Sequence, residues 1–231
     1  MKKKNLICLM FILLSSCNFN NNKVSYFTGK IIKKTTDKIS ILKDEYILNE
    51  TLISNDGVFF MSLDSIKDGL YNFKHLPEFQ YVLFENGDSL VLRLNALDFD
   101  ESLVFNGKGS SKNNFLIDIF LSHENEENYL NSKFRENPYN FKNIIDSLLN
   151  IKQLQFEDFK KLKKSNKTSE LIIEHAIKLP LYLKLEAYLS GLKTKEELNM
   201  SSENFYNFRS DINLNIEELS NFKPYLDYII L

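Results

Sequence analysis

Hydrophobic and polar residues alternate along the first part of the chain and then change to a helical period. In the run Ser89–Leu94 a leucine stands at every second position, which is the pattern of a half-buried β-strand. Gly107 and Gly109 follow, and glycine takes positive φ at little cost. The chain can therefore turn sharply there before Ser110 or Ser111 caps a helix.

Short β-like runs make up the first part and are separated by residues that favour turns. They are Tyr26–Lys34, Lys38–Leu42, Tyr46–Ile53, Val58–Leu63, Gly69–His75, Phe79–Phe84, Ser89–Leu94 and Ser102–Asn106. Strands that follow one another without helices between them pair antiparallel, so the pattern predicts an antiparallel β-sandwich or a small barrel. Asn55-Asp56-Gly57, between two apolar runs, is the strongest hairpin signal.

Apolar residues recur at helical spacing from Ser110 onward. The predicted helices are 111–127, a long amphipathic helix that starts at Asn137-Pro138 and reaches Leu162, and a third that begins at Thr168 or Ser169, kinks at Pro180 and ends at Gly191. Two later helix starts are indicated by Thr194-Lys-Glu-Glu197 and by Asn215 with Glu218. The predicted class is α+β, with a β-rich domain at 25–109 followed by a helical region at 110–231.

The last residues, Pro224–Leu231, are apolar and aromatic and have no polar tail. Such a segment needs a surface to cover it. We expect it to pack on the helical region, on a protein partner, or on a further domain if the chain is a truncated form of a longer protein.

The N-terminus has the form of a targeting signal. Three lysines precede an apolar run from Leu6 to Leu14, which is too short to cross a bilayer. Leu14-Ser-Ser-Cys17 resembles the lipobox of bacterial lipoproteins, which implies that residues 1–16 are removed and that Cys17 carries the lipid. The alternative is an ordinary secretory signal. On the lipoprotein interpretation, residues 17–24 form a tether and a membrane is the partner at this end.

Charge excludes one class of partner. Removal of residues 1–16 takes away three lysines and no acids, which leaves 26 basic and 31 acidic side chains and a net charge of −5. A mildly acidic chain without a basic stripe is a poor candidate for nucleic-acid binding. The basic run between Lys160 and Lys167 is interpreted as a solvated helix end, with anionic headgroups as the alternative contact.

Candidate chemistry is sparse. Asp98, Asp100 and Glu101 alternate as calcium ligands do, with Glu85 and Asp88 as possible neighbours, but they lack the spacing of a calcium loop. A solvated connection is the favoured interpretation, and a ligand-binding or enzymatic site is the alternative.

The three histidines also give little indication of a metal or catalytic site. His123-Glu-Asn-Glu-Glu127 lacks the second histidine of a metal helix and is interpreted as a frayed acidic helix end. His75 is expected in a loop and His175 in a helix. With Cys8 lost in the leader and Cys17 acylated, no free cysteine remains. No cofactor, metal or catalytic residue is therefore predicted.

Several stretches carry a resemblance to a known family. They are Gly29-Lys-Ile-Ile, Asp56-Gly57 with Phe59, Gly69-Leu-Tyr71, Gly87-Asp-Ser-Leu90, Asp98-Phe-Asp-Glu-Ser102 and Phe105-Asn-Gly-Lys-Gly109 with Asn113-Asn-Phe-Leu116. The chain resembles the N-terminal region of envelope lipoproteins of Gram-negative bacteria related to thiol-disulfide oxidoreductases. That family carries its Cys-x-x-Cys pair in a C-terminal thioredoxin-like domain, and this chain contains no such pair. The resemblance implies a non-catalytic, lipid-anchored envelope module that acts as a spacer or a partner-binding element.

Overall fold

Eight strands lie in the first part of the chain that the structure describes. A computed structural model describes residues 23–64, 66–192 and 203–231. The strands are β1 Ser25–Ile32, β2 Lys38–Lys43, β3 Tyr46–Leu52, β4 Val58–Leu63, β5 Gly69–His75, β6 Glu78–Phe84, β7 Ser89–Asn95 and β8 Val104–Lys108. All eight predicted runs are confirmed as strands, with ends that differ by a few residues.

The strands form two four-stranded sheets in the orders β4-β1-β7-β8 and β3-β2-β5-β6. Side chains of every strand except β3 point into the space between the sheets and form one apolar core that includes Phe27, Phe73, Phe84, Leu92 and Phe105. The predicted α+β class is confirmed, and the arrangement is that of a sandwich. His75, expected in a loop, is instead the buried last residue of β5.

One strand pair departs from the prediction. β1 and β7 run parallel, while every other pair in the two sheets is antiparallel. The expectation of purely antiparallel pairing assumed that a parallel connection needs a helix. Here the connection from β1 to β7 runs through the four strands of the opposite sheet and through β4. Gly29 permits the close β1–β7 contact, because a Cβ at this position would lie 2.2 Å from the Leu92 carbonyl oxygen.

The predicted hairpin at Asn55-Asp56-Gly57 is wrong in its pairing. The turn exists and Gly57 has a φ of 84°, but β3 and β4 belong to different sheets. The chain crosses from one sheet to the other at this turn. Ile31 of β1 donates its backbone N–H to the Gly57 carbonyl at 2.9 Å, so the turn is attached to β1.

Helices form the second part. They are α1 Phe99–Ser102, α2 Ser110–Ser132, α3 Pro138–Leu162, α4 Lys167–Ser190 and α5 Lys223–Ile230, with 3-10 helices at Glu203–Asp211 and Glu217–Leu219. The short helix α1 was not predicted. The predicted helix starting at Thr194 lies outside the described residues.

Asparagine side chains cap the starts of two of the helices. The side chains of Asn137 and Asn166 accept backbone N–H groups of the first turns of α3 and α4, at 3.0 and 2.8 Å. The Asn137 cap is confirmed, whereas α4 begins at Lys167, before the predicted start at Thr168 or Ser169. α2 begins at Ser110 after Gly109, whose φ is 93°, without a side-chain cap. The cap predicted at Asn215 is wrong, because the 3-10 helix there begins after Ile216.

The helices pack on the outer face of the sheet β3-β2-β5-β6. Leu70 of β5 and Leu83 of β6 belong to the apolar core of the helical region, not to the core between the sheets. Ile117 of α2 belongs to the core between the sheets. α2 therefore contributes side chains to both cores, and the two parts of the chain are joined through it.

Candidate functional site

Three consecutive residues of α2, Lys112, Asn113 and Asn114, dock the helical region on the sandwich. Each makes a different contact with the β-rich part. We call these three residues the α2 clamp. They lie at the start of α2, shortly after Gly109.

Lys112 forms a buried ion pair with Asp88. The two side chains are 5% and 3% exposed, and the Lys112 ammonium is in direct contact with the Asp88 carboxylate. The same carboxylate oxygen accepts the backbone N–H of Glu85 at 2.9 Å. A buried charge without a partner is energetically costly. Movement of α2 away from Asp88 would separate the two charges, so the ion pair restricts the position of this helix.

Asn113 and Asn114 each bond to one edge strand, Asn113 in one sheet and Asn114 in the other. The Asn113 amide accepts the Leu83 N–H at 2.7 Å and donates to the Leu83 carbonyl at 2.9 Å. The Asn114 amide makes the same pair of bonds with Phe105, at 2.8 and 2.9 Å. Leu83 lies in edge strand β6 and Phe105 in edge strand β8. Each asparagine thus satisfies backbone groups that an edge strand leaves unpaired.

Glu85 extends this junction to α4. Its carboxylate accepts the Asn166 backbone N–H at 3.0 Å and the Ser169 hydroxyl at 2.9 Å. A carboxylate at a helix N-terminus is favourably placed for the free N–H groups and the helix dipole. Glu85 and Asp88, considered above as possible neighbours of the Asp98 group, attach α4 and α2 to the sandwich.

A second buried polar cluster joins α2 and α3. Lys152, 2% exposed, donates to Glu126 at 2.8 Å and contacts the Ser122 hydroxyl. The His123 ring nitrogen Nε2 lies 3.1 Å from the Ala176 carbonyl oxygen of α4. Burial, together with the nearby Lys152 ammonium, lowers the pKa of His123 to about 3. The predicted frayed helix end at His123 is therefore wrong, since α2 continues to Ser132.

Sequence reasoning missed Lys112 and Lys152, although each gives a signal. Lys112 precedes Phe115, Leu116 and Ile119 at helical spacing, and Lys152 stands between Leu149 and Phe156 at the same spacing. Each lysine is thus on the apolar face of its helix. A charged residue on that face indicates a buried partner, but the partner itself, Asp88 or Glu126, is distant in sequence.

The three carboxylates proposed as an alternative site do not converge. Asp98 directly precedes α1, and Asp100 and Glu101 lie in its first turn. Asp100 accepts a hydrogen bond from the Gln80 side chain at 2.8 Å. In the described part of the chain no group of three acidic, histidine or cysteine side chains is placed to hold a metal ion. The calcium alternative therefore has no support from this geometry.

The two other histidines are buried and bonded to the backbone. The Nε2 atom of His75 accepts the Thr35 backbone N–H at 3.1 Å, and its Nδ1 lies 3.1 Å from the Lys38 carbonyl. This ring holds the start of β2 against the end of β5. His175 contacts the Leu171 carbonyl at 2.8 Å within α4, and burial lowers its pKa. Both contacts have a structural role.

The C-terminal segment is half covered. Phe222, Tyr225 and Tyr228 are buried in the helical core, and the Lys223 backbone N–H donates to the Tyr81 hydroxyl of β6 at 3.0 Å. Four residues on the other side of α5 and at its end remain exposed: Leu226, Ile229, Ile230 and Leu231. The expected packing on the helical region is thus confirmed for the aromatic residues alone.

Cys17, the predicted lipid site, lies outside the described residues. Lys23 is the first described residue, and its backbone N–H donates to the Asn86 side chain at 2.7 Å. Among the described helices, none combines the length and the hydropathy needed to cross a membrane.

Comparisons with protein-family models, with curated proteins and with solved structures found no match to this chain. The class of protein is therefore set by its own architecture: an α+β protein with a mostly antiparallel sandwich and a helical region docked on one sheet.

Proposed function

We propose that this protein is a lipid-anchored module of the bacterial cell envelope that faces the periplasm and acts as a spacer or a partner-binding element. The lipobox-like Leu14-Ser-Ser-Cys17 supports the anchor, and the short polar stretch that follows supports a tether before β1. The resemblance to the N-terminal region of thioredoxin-like envelope lipoproteins supports a non-catalytic role.

The observation that carries the partner-binding role is the exposed side of α5. Ile230 and Leu231 are 83% and 77% exposed, while Tyr225 and Tyr228 of the same helix are buried. Burial of one large apolar side chain contributes roughly 1.5–3 kcal/mol. Burial of these side chains by a partner would therefore contribute several kcal/mol of binding free energy, and the helix would stay folded.

The docking of the helical region supports a spacer. The α2 clamp and Glu85 connect the sandwich to α2 and α4 through buried or half-buried polar contacts. The Asn221 side chain also reaches the Leu70 carbonyl at 3.4 Å. Contacts at this many points hold the helical region, including α5, in a fixed position on the sandwich, as a spacer requires.

The anchor is tested by Cys17→Ser. The variant is expected to lose the lipid and to leave the detergent phase in a phase-separation assay, because two or three acyl chains at about 0.8 kcal/mol per buried CH₂ group supply the membrane affinity. Cys8→Ser, which changes the leader only, is the matched control and should partition like wild type. A Cys17→Ser protein that still enters the detergent phase would show that the lipoprotein interpretation is wrong.

The partner surface is tested on the soluble form that starts at Asn18. We expect this form to self-associate in sedimentation, and Ile230→Ser with Leu231→Ser to weaken the association by about tenfold or more, because apolar burial is lost. Leu162→Ser removes an equally exposed leucine from the end of α3 and serves as the control. A monomeric soluble form that binds no hydrophobic dye would contradict the proposal.

A further inference from the structure

A surface concavity of about 600 Å³ lies on the outer face of the sheet β4-β1-β7-β8. Lys30 of β1 and Arg93 of β7 are register partners on the parallel strand pair. Both side chains are on the exposed face, because the chain neighbours of each are buried. The remaining lining residues are Ile32, Leu94, Asn95, Ser102 and Val104.

The two cations occupy adjacent register positions on neighbouring strands. Like charges on directly opposite residues of neighbouring strands are unfavourable. Within the described residues neither Lys30 nor Arg93 makes an ion pair, and none of the residues that line the concavity is acidic. Lys30 has only a through-space interaction with Asp56. The pKa of Asp56 is lowered mainly by the Ser54 hydroxyl and to a smaller extent by Lys30.

Three other concavities in the described part of the chain combine their cations with carboxylates. The one between β5, β6 and α5, of about 520 Å³, contains Asp44 and Glu45. The one between α3 and α4 contains Glu157 and Glu174. The one at the α2 clamp contains the Glu85 and Asp88 carboxylates. In those places carboxylates line the concavity together with the cations, whereas none of the described residues that line the Lys30–Arg93 concavity is acidic.

We propose that this concavity is a binding site for an organic phosphate monoester. A guanidinium donates two parallel hydrogen bonds to phosphate oxygens and an adjacent ammonium adds a point charge, so the pair matches a doubly charged phosphate. The half-exposed Ile32 and Val104 side chains flank the cations and provide apolar contact for the organic part. A volume of about 600 Å³ is within the range of small-molecule sites.

The test uses the full chain in phosphatidylcholine nanodiscs and phenyl phosphate as the probe, titrated by calorimetry. Wild type is expected to bind saturably, and benzyl alcohol, which has the ring without the phosphate, should not bind. The Lys30→Gln, Arg93→Gln double variant is expected to bind at least about tenfold more weakly, because two charge-assisted contacts are lost. Both residues are exposed, and far-UV circular dichroism checks that the variant is folded.

The control variant is Arg135→Gln with Lys161→Gln, which removes the same charges from exposed positions outside the concavity. Binding by this control equal to wild type supports the site. An equal loss in both double variants, or no saturable binding by wild type, would overturn the proposal.

Two sources could supply the phosphate group, a soluble ester or a lipid headgroup. Discs that contain phosphatidic acid distinguish them from discs that contain an equal charge of oleate. Weaker probe binding in the phosphatidic acid discs alone identifies a headgroup as the occupant. Equal probe binding in both kinds of disc identifies a soluble ester, and both results support the phosphate site.

Discussion

Replacement of Asp88 by alanine is expected to lower the free energy of unfolding by about 3–5 kcal/mol, the usual cost of removing one partner of a buried ion pair. The Lys112 ammonium would keep only Glu85 near it, at 3.8 Å, in a site from which water is excluded. The Glu85 backbone N–H would also lose its acceptor. Urea unfolding followed by far-UV circular dichroism measures the change.

A double-variant cycle separates the ion pair from other effects of the substitution. Lys112→Met removes the charge and keeps most of the volume, so Asp88→Ala combined with Lys112→Met should cost less than the sum of the two single variants. Asp158→Ala breaks the exposed ion pair with Lys161 and should change stability little. If Asp88→Ala were as mild as Asp158→Ala, the Lys112–Asp88 contact would not hold α2 on the sandwich.

Asn113→Ala has the second largest expected effect. It leaves the Leu83 N–H and carbonyl without partners under α2, and each unpaired buried group costs roughly 1–3 kcal/mol. Hydrogen exchange should also show faster exchange of the Leu83 amide than in wild type, because this amide bonds to a side chain and not to another strand.

Asn106, an exposed residue of β8, provides the control. Asn106→Ala removes the same type of side chain, but from a position that is exposed. Its stability and its exchange pattern should resemble those of wild type. Unchanged protection of Leu83 in Asn113→Ala would show that edge strand β6 is closed by something other than the α2 clamp.

The strand and helix types were predictable because they depend on short-range patterns. The two-residue period of β7 and the helical period of α3 follow from residues that are neighbours in sequence. The Asn137 cap was predictable for the same reason, because the acceptor and its donor are three residues apart.

The pairing of distant elements was not predictable in this way. Asn55-Asp56-Gly57 has the residues of a hairpin turn, yet its flanking strands pair with β2 and β1 in different sheets. Turn residues determine how sharply the chain reverses, whereas the strand partner depends on which apolar faces can be buried together. The parallel β1–β7 pair is likewise decided by packing between the two sheets.

The candidate sites differ in the same way: one depends on contiguous residues, and the others depend on residues that are separated in sequence. The lipid site at Cys17 depends on a contiguous motif and remains a prediction from the sequence. Lys112 and Asn113 of the α2 clamp contact residues 24 and 30 positions away. The Lys30–Arg93 concavity joins β1 and β7, and all four strands of the opposite sheet lie between these two strands in sequence.

By itself, the sequence determined the class of the protein and the place where strands give way to helices, because local periodicity encodes these features. The tertiary structure alone decided which charges are buried, which edges are closed and which cations meet. Each of these depends on long-range burial, where the environment of a side chain is set by residues that are far away along the chain.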